Sequence, residues 1–86
     1  MPGVSRKGVD KASGVIQEGS GDVFVNGSGA VTVGAKVAPH GSAPHSTAKM
    51  NGGSSTVFVN GKPVIRAGDK ASCSHQSTGS SNVFAG

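Results

Sequence analysis

The stretch VFVNG at residues 23–27 recurs letter for letter at 57–61, and a degenerate copy, NVFAG, occupies 82–86. Valine and phenylalanine alternate within each copy, which places them on opposite faces of a strand. In the two complete copies, the Asn-Gly pair supplies the residues of positive φ that a type I′ hairpin turn requires. The stretch therefore predicts a strand and a tight turn, with residues 28–33 and 62–66 as the return strands.

A second element accompanies the repeated strand, because DKAS at residues 10–13 recurs at 69–72. The chain then divides into three units, residues 2–27, 30–61 and 63–86. The strand copies begin 34 and 26 residues apart (57 − 23 and 83 − 57), so the variable length must lie in loops. Unequal units do not stack into a long solenoid. They predict one compact object in which three similar β-units close around an axis.

The composition predicts an all-β fold in a single domain, residues 1–86. The large apolar residues are valine, two isoleucines, three phenylalanines and two methionines, and leucine, tryptophan and tyrosine are absent. This composition is typical of strands rather than helices. A domain of this length lies near the limit at which apolar burial outweighs chain entropy, so an additional means of stabilisation is expected.

Charge and cysteine content narrow the classes of function. The net charge is +4, but the basic residues are scattered and no aromatic residue lies among them to stack a base, which indicates an ordinary solvated surface. Residues 1–14 contain no apolar run, so we expect synthesis in the cytoplasm without a signal peptide. The single cysteine excludes an intramolecular disulfide and, beside histidines, favours a metal ligand or a nucleophile.

Every histidine and the only cysteine fall in two corresponding loops. At an offset of 33, residues 38–40 align with 71–73, so His40 and Cys73 are predicted counterparts, with Gly14 as a blank in the first unit; His45 and His75 follow in the same two loops. Four such donors match the ligand number and type of a closed zinc site. The spacings H-x4-H and C-x-H match no zinc-finger pattern, and iron accepts the same donors.

Two other interpretations of these residues compete with a metal site. Histidines in Gly/Ser loops are often solvated, with Cys73 then a small buried apolar residue. Cys73 and His75 could instead form a nucleophile pair, but loops this polar imply no substrate pocket. We therefore predict no enzymatic activity and a structural zinc ion, which in small domains contributes on the order of 10 kcal/mol to folding. Few carboxylates are available as a general base for a catalytic zinc: Asp10, Glu18, Asp22 and Asp69.

The stretch NGKPVIRAGD at residues 60–69 resembles the signature of the PAAR-repeat proteins, which is Asn-Gly-Lys, then Pro-Ala-Ala-Arg, then Gly-Asp. Val64 and Ile65 stand in place of the two alanines. The first unit has an extra residue between Pro2 and Arg6, and the middle unit lacks both the proline and the arginine. The resemblance covers essentially the whole chain, including the serine-rich lead into each Val-Phe.

The resemblance implies a small pseudo-threefold cone of β-hairpins, pinned near its tip by a metal ion on His40, His45, Cys73 and His75. It implies a spike-tip protein of a type VI secretion system or a contractile phage tail, whose base caps a trimeric β-helical spike with one chain per trimer. Such a protein would be assembled into a virion tail or secretion-system spike and delivered outside the cell. It would travel with any effector cargo and contact the target membrane transiently during piercing.

One alternative from a different class is a small zinc-stabilised nucleic-acid-binding module. The positive net charge allows it. It would require a clustered basic face and strongly salt-dependent binding.

Overall fold

The structure is a computed structural model that describes residues 2–41 and 47–85. In that part of the chain the regular elements are short strands, paired as antiparallel hairpins, and no helix is long and apolar enough to cross a membrane. The predicted all-β class is confirmed. The strands are β1 (Lys11–Ala12) with β2 (Gly14–Val15), β3 (Phe24–Val25) with β4 (Ser28–Gly29), and β5 (Phe58–Val59) with β6 (Lys62–Pro63).

The two complete copies of the repeated stretch form the predicted tight hairpins. Val25 pairs with Ser28 and Val59 with Lys62, which leaves only Asn-Gly in each turn. The asparagine and glycine both have positive φ, at 53° and 84° in the first turn and 54° and 78° in the second. These values are those of a type I′ turn, whose twist matches that of the flanking strands. We call these two elements the Asn-Gly hairpins.

The degenerate third copy pairs with the other end of the chain. Gly3 forms an antiparallel bridge with Phe84, the Val4 amide donates to the Val83 carbonyl at 2.8 Å, and the Ala85 amide donates to the Pro2 carbonyl at 3.0 Å. The third hairpin is therefore assembled from the two ends of the described chain instead of from one continuous segment.

Three buried residues join the units in a closed ring of backbone hydrogen bonds. The Ser5 amide donates to Ile65, the Ile65 amide to Val31 and the Val31 amide to Ser5, at 2.9, 2.8 and 3.1 Å. All three residues are fully buried. The predicted closure of three units around one axis is thus confirmed, and the molecule has two equal short dimensions, 32 × 23 × 23 Å. The taper of a cone stays a prediction.

Beyond this ring each unit forms a second hairpin, which we call a lysine hairpin because it opens on Lys11, Lys36 or Lys70. These lysines pair with residues 15, 49 and 76 respectively, so 3, 12 and 5 residues lie between the paired positions. Each is tied to its neighbour, and these three hydrogen bonds close a second ring: the amides of Gln17, Asn51 and Thr78 donate to the carbonyls of Lys36, Lys70 and Lys11. The unequal repeat lengths therefore lie partly in these hairpin loops.

This pairing corrects one detail of the sequence alignment. Lys36 and Lys70 are equivalent, which is an offset of 34 rather than 33, so Ala38 corresponds to Ser72 and His40 falls one position past Cys73. The predicted equivalence of His40 and Cys73 is therefore wrong by one residue. The reason is that Val37, which is 3% exposed, takes the buried position that alanine fills in the other two units.

Two apolar clusters fill the interior. The larger one contains Cys73 and is built around the fully buried side chains of Ile16, Met50 and Ile65. The smaller one contains the inward-facing residues of the repeated strands, Val25, Val59 and Ala85, together with Val4, Ala30 and Val64. The lysine hairpins thus pack on one cluster and the Asn-Gly hairpins on the other.

Candidate metal centre

Three of the four predicted ligands lie together between two lysine hairpins. His40 Nε2 is 3.0 Å from His75 Nδ1, and Cys73 Sγ is 3.5 Å from His40 Nε2 and 3.6 Å from His75 Nδ1. Cys73 is buried and both histidines are half-buried. The structure therefore brings together the histidines and cysteine that the sequence singled out, apart from His45, which lies outside the described residues.

The spacing of the three atoms suits a tetrahedral metal ion. With zinc–nitrogen bonds near 2.0–2.1 Å and a zinc–sulfur bond near 2.3 Å, ligand atoms in a tetrahedron stand about 3.3 Å (N to N) and about 3.6 Å (N to S) apart. The observed triangle of 3.0, 3.5 and 3.6 Å is close to one face of that tetrahedron. Because the thiol faces two imidazoles at nearly equal distances, the set fits metal ligation better than a single nucleophile and base.

The backbone orients His40 within this site. Its Nδ1 lies 2.9 Å from the Ala38 carbonyl oxygen. A carbonyl can only accept, so Nδ1 carries the proton and the lone pair of Nε2 points at the other two ligand atoms. Metal-binding histidines commonly donate their second ring nitrogen in this way, which fixes the tautomer and the ring orientation.

A tight turn presents the other two ligands. The Ala71 amide donates to the His75 carbonyl and the Ser74 amide to the Ala71 carbonyl, each at 2.9 Å. Ser74, between the two ligands, has a φ of 72°. The short hairpin therefore fixes the backbone on both sides of the Cys73–His75 pair, so that the two donors need little ordering when a metal binds.

Sequence reasoning missed the role of the arginines near this end of the fold. Arg6 donates to Asp10 from its backbone amide, from Nε and from Nη2, at 2.8, 2.8 and 3.2 Å. Arg66 binds Asp69 in the same pattern. Each arginine of the PAAR-like motif therefore closes a turn by holding an aspartate three or four residues further on, and the Arg-x-x-Asp and Arg-x-x-x-Asp spacings were the available signal.

Asp10 is the more buried of these two carboxylates. Its side chain is 4% exposed and also accepts a hydrogen bond from the Thr78 hydroxyl at 2.8 Å. Burial alone would raise the pKa of Asp10, but the hydrogen bonds from the Arg6 side chain, the Thr78 hydroxyl and the Arg6 amide outweigh it and lower the pKa. The carboxylate is therefore held ionised as part of the fold.

A comparison with curated proteins found no match for this chain. The family model described as the PAAR motif matches it at residues 9–76 and 40–86, which together cover nearly the whole chain. That motif is associated with spike-tip proteins of type VI secretion systems and contractile phage tails, which are structural components rather than enzymes. With three units closed around an axis and a His-Cys-His group on two of them, the chain belongs to the PAAR-motif family.

Proposed function

We propose that this protein caps the trimeric β-helical central spike of a contractile injection machine, one chain per trimer, and sharpens it for envelope piercing. Family membership supports this function. The observation that carries it further in this chain is a set of three exposed phenylalanines, Phe24, Phe58 and Phe84, which we call the phenylalanine triad.

The phenylalanine triad repeats with the pseudo-threefold order of the fold. Its members occupy the same place in the three copies of the repeated strand and are 58%, 55% and 48% exposed. The residue that follows each of them is buried in the smaller cluster, so the strands turn their phenylalanines outward. Large apolar side chains left exposed in a set commonly mark a surface that contacts a partner.

Symmetry matches this surface to a trimer. A trimeric β-helix ends in three equivalent strand edges, whose unpaired N–H and C=O groups favour pairing with another chain. One chain that presents three similar hairpins can meet all three edges at once. Cys73 belongs to the other cluster, so docking through the triad would leave the metal centre directed away from the spike.

The mechanism in this proposal is mechanical. Contraction of the machine would drive the spike and its cap through the target envelope, with transient membrane contact and with effector cargo following. The two closed rings of hydrogen bonds and the metal ion would resist deformation of the cap under load. The protein would be made in the cytoplasm, assembled into a virion tail or a secretion-system spike and delivered outside the cell.

The nucleic-acid alternative has less support. It requires basic side chains clustered on one face. The exposed, equivalent lysines Lys11, Lys36 and Lys70 instead stand one in each unit around the axis. A salt titration of binding to duplex and single-stranded oligonucleotides distinguishes the two functions, because phosphate contacts weaken steeply with salt.

The proposal is tested by mixing the protein with a trimeric β-helical spike protein and measuring the mass of the complex by native mass spectrometry. One chain per trimer is expected. The triple variant Phe24→Ser, Phe58→Ser, Phe84→Ser should lose binding, whereas Val9→Ser should retain it, since Val9 is 48% exposed but lies outside the triad. No complex with the parent protein, or three chains per trimer, would refute the proposal.

A further inference from the structure

We infer that Gly14 is a positioning residue of the metal centre. It lies in the first lysine hairpin, which contributes no ligand. It leaves the space into which the Ala38 carbonyl and the His40 ring pack, and so determines which nitrogen of His40 faces the ligand set. This inference rests on the metal centre and is independent of the proposed docking to a spike.

Atoms of the middle lysine hairpin fill the space beside Gly14. A Cβ atom on Gly14 would lie 2.2 Å from the Ala38 carbonyl oxygen and 2.8 Å from His40 Nδ1. The nearer of these atoms belongs to the backbone, which cannot rotate away as a side chain can. Gly14 is not among the glycines of positive φ, so the conformation of its backbone would accept alanine. The requirement for glycine is one of space alone.

Ala38 has little freedom to retreat. Its amide donates to the carbonyl of Val15, the residue after Gly14, at 2.8 Å. Ala38 therefore donates its amide to the first hairpin and accepts a hydrogen bond from His40 at its carbonyl. A group added at Gly14 must break one of these hydrogen bonds, and either break shifts the His40 ring.

The three lysine hairpins therefore contribute differently to the metal centre. The middle hairpin supplies His40, and the third supplies Cys73 and His75. The first supplies no ligand, but its Gly14 leaves the space in which His40 donates to the Ala38 carbonyl. The coordinating atoms are thereby assigned as His40 Nε2, His75 Nδ1 and Cys73 Sγ. A metal ion on these atoms would meet an imidazole whose tautomer is already set.

The first test compares Gly14→Ala with Gly21→Ala, a matched control in which the added Cβ meets nothing within 4 Å. Zinc affinity is measured by titration against a competing chelator. Loss of an outer hydrogen bond to a metal-binding histidine typically weakens metal binding about 10–100-fold, and we expect that loss for Gly14→Ala, with Gly21→Ala equal to the parent. Parent-like affinity for Gly14→Ala would overturn the inference.

The second test needs no variant and can refute the inference even if Gly14→Ala fails to fold. Long-range proton–nitrogen NMR of the zinc-loaded parent protein reports the tautomer of each histidine. We expect His40 with its proton on Nδ1 and zinc on Nε2, and His75 with zinc on Nδ1. Zinc on Nδ1 of His40 would overturn the inference, and a folded parent that binds neither zinc nor iron would remove the metal centre as well. None of these outcomes bears on the stoichiometry with a spike.

Discussion

Replacement of Asp10 by asparagine should lower the free energy of unfolding by about 3 kcal/mol at neutral pH. Asp10 accepts four hydrogen bonds, three from Arg6 and one from the Thr78 hydroxyl. An asparagine keeps one acceptor oxygen and turns an NH2 group toward the remaining donors. At least one charge-assisted bond is lost and a second donor is left without an acceptor, at about 1.5–3 kcal/mol for the charged bond and about 1–3 kcal/mol for the orphaned donor. Water reaches the 20%-exposed Arg6 side chain and reduces both losses, so we take a value near the lower end of the combined range.

Asp69→Asn provides a matched comparison within the same chain. Asp69 makes the equivalent bonds to Arg66, but its side chain is 13% exposed against 4% for Asp10, and no threonine bond to it accompanies them. The loss for Asp69→Asn should therefore be smaller, about 2 kcal/mol. If the two variants lose the same stability, burial and the Thr78 bond do not contribute as argued.

The assay is urea denaturation followed by far-UV circular dichroism, because the chain lacks tryptophan and tyrosine as fluorescent probes. With a slope of about 1 kcal/mol per molar urea, typical of a small protein, the midpoint of Asp10→Asn should fall by about 3 M. Parent and variant carry the same metal ligands, so effects of metal loss cancel in the difference between them.

The stability difference between the parent protein and Asp10→Asn should also depend on pH. The pKa of Asp10 is lowered in the folded state, so the unfolded chain takes up this proton more readily. The stabilisation is complete above the unfolded pKa of about 4 and is lost as the pH falls through the lower folded pKa. The difference between parent and Asp10→Asn should therefore shrink below about pH 4. A difference that is absent at neutral pH, or that persists undiminished at about pH 2, would show that the ionised carboxylate of Asp10 does not stabilise the fold.

Three further predictions follow from the site and the core. Chelation of the metal, or Cys73→Ser, should remove stabilisation on the order of 10 kcal/mol and unfold the protein, which circular dichroism with and without a chelator will show; an unchanged spectrum and midpoint would exclude a structural metal. His45→Ala should weaken zinc binding without altering the His40 tautomer seen by NMR, and parent-like affinity would exclude His45 as the fourth ligand. Ile65→Ala, at a fully buried position of the central ring, should cost about 2–5 kcal/mol in urea denaturation, and a loss below about 1 kcal/mol would contradict the packing described.

Local chemistry made the Asn-Gly hairpins predictable. Positive φ at both turn residues strongly favours pairs such as Asn-Gly, and the alternation of Val and Phe places Phe24 and Val25 on opposite faces of the strand. Which of the two faces is buried came from the structure, where Val25 is 6% and Phe24 58% exposed. The ligand set was predictable for a different reason: the chain has so few histidines and cysteines that any metal site must draw on them. His40, Cys73 and His75 form a group able to hold a metal ion, while the full set of four ligands, with His45, stays a prediction.

The errors and omissions concern interactions that leave little trace in a single sequence. Matching Ala38 to Ala71 gave an alignment that was wrong by one residue, since a buried position accepts Val37 as readily as alanine. His40 donates its hydrogen bond to a backbone carbonyl, a group that every residue possesses. The space at Gly14 depends on how closely two hairpins approach, and only the packed structure reveals that distance.

The pairing of Pro2 with Ala85 affects the order in which the fold can be completed. A strand made by the first residues of the chain stays without its partner until residue 85 has left the ribosome. Both rings also need contributions from all three units, so no unit can reach its native pairing alone, and non-local pairing of this kind slows folding. We therefore expect one cooperative folding step, with the pairing of residues 2–4 and residues 83–85 among the last events.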